Sequence, residues 1–142
     1  MITYEKLNEQ NHRITELSNI LHYLFKDRSM CDTHSCCDIF HNYVELVKEH
    51  VTMVDKDLCS ELLKSQDEKI NSVAKNFLSG SVEIKKILKD FTRQWCPSSA
   101  TGELKIKAHA EFLQDTDRLF DLVLRRILDE TEHLYPLVRS LT

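Results

Sequence analysis

Between Glu103 and Leu141 the apolar residues Phe112, Leu113, Leu119, Phe120, Val123, Ile127, Leu134 and Val138 recur at steps of three, four and seven. That is the period of one face of an α-helix. A stretch this long with a single period folds as a helix whose stripe must be covered by other helices or by a sheet. At about 100° per residue, Glu130 falls close to the same apolar face. A carboxylate taken out of water needs a partner: an opposite charge, hydrogen-bond donors or a metal ion. Which of these it finds decides what the chain can do.

Three further stretches carry the same period. Helix one is predicted from Thr3 to Lys26, capped by Thr3, with the stripe Leu7, Asn11, Ile14, Leu17, Leu21 and Phe25. Asn11 lies in that stripe, and His12 points the other way. After a loop over Asp27 to Asp32, helix two is predicted from Thr33 to Leu63. Its stripe is Phe40, Tyr43, Val44, Val47, Val51, Val54, Leu58 and Leu62, with His50 on the shoulder and His41 facing solvent. Ser65 and Glu68 have capping-box spacing and open helix three, which runs to Cys96 through Ile70, Val73, Phe77, Ile84, Ile87, Leu88, Phe91 and Trp95. Gly80 interrupts that stripe, where it marks a close approach, a kink or a break. The cluster Pro97 to Gly102 separates helix three from helix four.

The chain has two Gly and two Pro among 142 residues, too few for the turns of a sheet-rich fold of this size. One all-α domain over residues 1–142 is expected, an up-down-up-down antiparallel four-helix bundle. The net charge of −4, without a Lys/Arg run, argues against nucleic acid. No apolar run approaches a membrane span, and the polar start MITYEKLNEQNH is no signal peptide. Five Cys, with Cys36 and Cys37 adjacent, make poor disulfide arithmetic and place the chain in the cytoplasm. Nothing resembles a nucleophile with its base or a phosphate loop, so a binder is expected rather than an enzyme.

Three patches, RILDETEHLYP in helix four, HVTMVDKDLC in helix two and NHRITEL in helix one, resemble the hemerythrin-like (HHE) domains. The resemblance covers most of the chain. It implies a four-helix bundle holding two non-haem irons through His and carboxylates, with oxygen or nitric-oxide binding, sensing or iron handling as its use. Of the family's ligand positions, His50 and Glu130 match. Asn11, Val54 and Arg126 stand at three others, with Asp55 one residue beyond Val54. Helix three lacks its His, since none occurs between His50 and His109. The resemblance therefore implies a degraded or remodelled metal site. His50 and Glu130, helped by Asp55, would anchor any iron. Alternatively, the site would be metal-free, with Arg126 pairing to Glu130 four residues away and Asn11 and His50 adding hydrogen bonds.

A second cluster joins Cys31, His34, Cys36, Cys37 and His41 around the start of helix two. Thiols and imidazoles at such spacing suit a soft metal, and thiols near a helix start suit redox sensing. His109 falls on the inner face of helix four, in a layer far from Glu130, and His133 falls near the surface. A phosphotransfer role for His41 lacks the small residues and Lys that should follow it. Leu46, Leu78 and Leu122 lie off the stripes and are candidates for a second interface. The expected function is a hemerythrin-like regulatory or sensory domain. Its partner would be another protein or a second copy, or a diatomic ligand if iron is bound. The alternatives are a true iron protein, a metal-free scaffold and a Cys-based redox sensor.

Overall fold

The computed structural model describes residues 4–31, 33–96 and 109–141. The Thr3 cap, the 97–102 breaker and the Glu103 start of helix four lie outside these residues. Every regular element among the described residues is helical. In chain order they are α1 (Tyr4–Lys26), α2 (Arg28–Cys31), α3 (His34–Val54), π1 (Asp55–Cys59), α4 (Ser60–Leu63), α5 (Glu68–Trp95), α6 (His109–Asp129), π2 (Glu130–Leu134) and α7 (Tyr135–Leu141).

The backbone stays in the right-handed helical region through Asp55 and Ser60, so α3, π1 and α4 form one continuous rod. The same holds for α6, π2 and α7 through Asp129 and Tyr135. The π turns are local widenings in which a backbone N–H reaches back five residues. Ser60 N–H donates to the Asp55 carbonyl, and Tyr135 N–H donates to that of Glu130. Such widenings gather at functional sites, and here each opens on an acid.

Local chemistry sets the helix ends. Thr33 caps α3, its hydroxyl accepting from Cys36 N–H at 3.2 Å. The α5 cap is Asp67, whose carboxylate accepts from Lys69 N–H at 2.8 Å. This corrects the Ser65 capping box: Ser65 Oγ accepts from Asp67 N–H instead, stabilising the approach to the helix. Asn71 donates to the carbonyls of Leu62 and Ser65, tying the α4–α5 connection to both helices. The 27–32 loop also needs correction, because Arg28–Cys31 forms a helical turn. Helix α5 runs unbroken through Gly80.

Helix α1 packs on α3 and α6, and α5 packs on α3, π1, α4 and α6. Two apolar cores result. The larger holds Ile14, Leu21, Phe25, Phe40, Val47, Leu88, Phe112 and Val123 among others. Its rings meet edge to face, as Phe25 does with Phe112 at 4.8 Å between centroids. The smaller holds Leu7, Val54, Leu58, Cys59, Leu62, Ala74, Leu134, Tyr135 and Val138. Burial of each Leu, Val or Phe contributes roughly 1.5–3 kcal/mol, so both cores hold the rods in place. Leu46 and Leu122 pack against the first core and Leu78 against the second. These three are therefore partly covered. Among the described residues the large exposed apolar side chains are instead Ile20, Tyr23, Met30, Leu63, Val82, Leu128 and Leu141.

Candidate functional site: a buried polar layer

Between the two cores each long rod contributes polar side chains at positions its period turns inward. Gln10 and Asn11 come from α1, His50 from α3, Asp55 from π1, Ser81 from α5, Arg126 from α6 and Glu130 from π2. All but Asp55, which is partly exposed, are buried. Glu130 is 0% exposed and His50 is 1% exposed, so the shoulder position read for His50 is in fact interior. Water screens neither group, and their partners must satisfy them.

Glu130 is the hub. Its Oε2 accepts from Arg126 Nε at 2.8 Å. Its Oε1 lies 2.7 Å from His50 Nε2 and accepts from the Tyr135 hydroxyl at 3.2 Å. Asn11 Nδ2 in turn donates to Tyr135 Oη at 3.2 Å. The other imidazole nitrogen, Nδ1, lies 2.8 Å from Gln10 Oε1. An imidazolium donates to both oxygens. A neutral ring donates to Glu130 alone, and Gln10 then turns its amide NH2 toward Nδ1. In either state both ring nitrogens are occupied.

Arg126 spreads its guanidinium across the layer. Nη1 donates to the Phe77 carbonyl and Nη2 to Ser81 Oγ, each at 2.9 Å. Its carbon sits 4.9 Å from the Phe77 ring centroid, a cation–π distance. The Ser81 hydroxyl is placed to donate to Asp55 Oδ1 at 2.7 Å, and Asp55 lies 3.8 Å from Arg126 Nη2. Gly80 makes room for this arrangement, because a Cβ there would stand 3.1 Å from Arg126 Nη1.

The layer's electrostatics follow from burial. Loss of water raises the Asp55 carboxyl above its ordinary range, and the Ser81 hydrogen bond and Arg126 only partly offset this. Burial first, and the Asp55 charge second, push the Cys59 thiol up to about 12. The Tyr135 phenol is raised by burial and by Glu130, so it remains a hydrogen-bond donor at neutral pH. Asn11 Oδ1, Tyr4 Oη and Tyr43 Oη are buried polar atoms with no hydrogen-bond partner among the described residues.

The structure thus gathers five sequence candidates, Asn11, His50, Asp55, Arg126 and Glu130, into one layer. Val54 belongs to the smaller core. Periodicity alone does not single out Gln10, Ser81, Phe77 and Tyr135 as members. Gln10 and Ser81 carry a signal nonetheless, since each occupies a stripe position, four residues before Ile14 and four after Phe77. His12 and His133 are exposed. His109 bonds to the Phe25 carbonyl at 2.7 Å, at the far end of the larger core.

The second cluster comes together only in part. Cys37 and His41 converge, and the residue they meet is Cys96, from the end of α5. The solvent-facing position read for His41 is corrected: it is half-buried, with Nε2 3.2 Å from Cys96 Sγ. His34 turns outward to exposed Asp38 at 3.2 Å, and Cys36 is buried in the larger core. The Cys31 side chain lies outside the described residues. No family model, curated protein or solved structure matches this chain.

Proposed function

We propose that this chain is a non-enzymatic regulatory or sensory binding domain built as a hemerythrin-like four-helix bundle, with a charge network where that family holds iron. The order of the cores supports an up-down-up-down course. Along α1 the chain passes from the smaller core to the larger, along the α3 rod back, along α5 forward again and along the α6 rod back. The observation that carries the functional reading is Arg126 Nε at 2.8 Å from Glu130 Oε2, both side chains buried. The guanidinium supplies the positive charge that a metal would otherwise bring to this acid.

The remaining donors point the same way. His50 Nε2, the nitrogen facing the acid, already has Glu130 Oε1 at 2.7 Å. A metal there would have to displace that contact and leave Arg126 buried beside a second cation. With its centre filled, the domain acts through its surface. Exposed Ile20 and Tyr23 on α1, with Met30 on α2, offer apolar contact area to another protein or a second copy. The undisulfided thiols Cys37, Cys59 and Cys96 suit the reducing cytoplasm.

Elemental analysis of the purified protein, with absorption spectra in air and under reduction, tests this reading. The expected result is no stoichiometric iron and no oxo-bridge band. Iron in molar proportion, lost in His50→Ala, would overturn it and make the chain a true iron protein of the oxygen- or nitric-oxide-binding kind.

A further inference from the structure

We propose that Cys37, His41 and Cys96 form a zinc site at the end of the larger core, independent of the polar layer. Cys37 and His41 stand four residues apart on α3, so their side chains share one face a turn apart. Cys96 is the residue at which α5 ends. Its N–H still bonds to the Thr92 carbonyl, but its own backbone has left the helix (φ −140°, ψ 63°). That departure brings its side chain to α3. The two sulfurs and an imidazole nitrogen lie within 4.8 Å of one another, and Cys96 Sγ is 3.2 Å from His41 Nε2.

These separations suit a tetrahedral ion. Zinc–sulfur bonds of about 2.3 Å and zinc–nitrogen bonds of about 2.0 Å place neighbouring ligand atoms roughly 3.5–3.8 Å apart. The cluster therefore needs only small side-chain adjustments around the ion. Two thiols and an imidazole are the donors of a borderline-soft cation. Three protein ligands leave one coordination position for water or a small ligand.

Charge balance suits an ion at this corner. Cys37 and Cys96 are each 1% exposed or less. An unaccompanied thiolate there is costly. Zn²⁺ with two thiolates and a neutral imidazole sums to zero. Binding sends two thiol protons to solvent, so affinity rises with pH. The half-buried edge of His41 gives the ion a way in.

The test is titration of the reduced, metal-stripped full chain with Co²⁺, which reports tetrahedral thiolate ligation by visible ligand-field and near-ultraviolet charge-transfer bands. Zn²⁺ is then added to displace it. One Co²⁺ per chain is expected, displaced by Zn²⁺, with affinity at least tenfold weaker in Cys96→Ser and in His41→Ala. Cys59→Ser and His50→Ala, which alter the polar layer and its margin, should keep the bands. Circular dichroism establishes that each variant is folded, and the wild-type titration stands if one is not. The proposal is overturned if the reduced wild type gives no thiolate bands, if Cys96→Ser keeps them, or if His50→Ala alone removes them.

Discussion

The polar layer and the thiol corner both set a histidine among potential ligands, yet they leave it in opposite states. In the layer His50 has an oxygen on each ring nitrogen, and Glu130 has Arg126 on its other oxygen. In the corner His41 Nε2 meets the sulfur of Cys96 at 3.2 Å, a weak donor and acceptor. The layer joins the Arg126 guanidinium to the acids Glu130 and Asp55 within the protein. The corner joins neutral thiols to an imidazole, and its donor atoms remain available to a cation. Residue type is a poor guide to ligation, because His, Glu and Cys serve either role. What separates the two regions is whether each donor atom already has a partner of comparable strength.

The largest way to break the comparison is to remove the layer's internal cation. Arg126→Ala leaves a fully buried Glu130 without its guanidinium partner and takes one donor each from the Phe77 carbonyl and the Ser81 hydroxyl. A loss of about 3–5 kcal/mol is expected, the usual consequence of unpairing a buried charge. Denaturant melts would measure it. An unchanged midpoint would mean that another group neutralises Glu130.

A second effect appears at alkaline pH, at the margin of the layer. Cys59 is fully buried in the smaller core, and its thiol is raised from 9.0 to about 12. Because its folded pKa exceeds the unfolded one, its contribution is complete below pH 9.0 and is lost as pH rises toward about 12. Within that window this one thiol lowers stability by at most about 1.4 kcal/mol per pH unit. Wild type should therefore lose its stability advantage over Cys59→Ala as pH climbs through this range. A constant difference from neutral to strongly alkaline pH would show that Cys59 ionises as readily folded as unfolded.

Gly80→Ala gives the smallest effect. In a helix interior this change gains about 1 kcal/mol, but the new Cβ would stand 3.1 Å from Arg126 Nη1. That nitrogen is held by the Phe77 carbonyl, so it yields little and the gain should largely vanish. In an Arg126→Met background the gain should reappear. Equal effects in both backgrounds, measured by thermal melts, would mean that Gly80 does not serve the guanidinium.

Periodicity makes the helices legible, because each stripe buries against the others. It also puts Asn11, Arg126 and Glu130 on inner faces. The stripe holds beyond the π turns that Asp55 and Glu130 open, where Leu58, Leu62, Leu134 and Val138 are buried, but the wider turn also brings in Tyr135, which is not legible as part of the layer. His50 reads as a shoulder residue because a wheel shows direction and not the depth added by a neighbouring rod. Cys96 is invisible as a partner for Cys37 and His41 because it is distant in sequence and sits where α5 stops. Whether two such residues meet depends on how the rods pack, which local pattern does not encode. His34 and Cys36, near in sequence, fall into the same cluster on the page, although α3 turns one outward and the other into the core.

In the proposed network Arg126, and not a metal, balances Glu130. The most direct measurement is a double-mutant cycle on unfolding free energy, in chelator, with wild type, Arg126→Met, Glu130→Gln and the combined variant. Strong coupling is expected, about 2 kcal/mol or more, with the double variant more stable than the two single losses would imply. Losses that add to within about 0.5 kcal/mol would contradict it, because the two side chains would then be stabilised by separate partners.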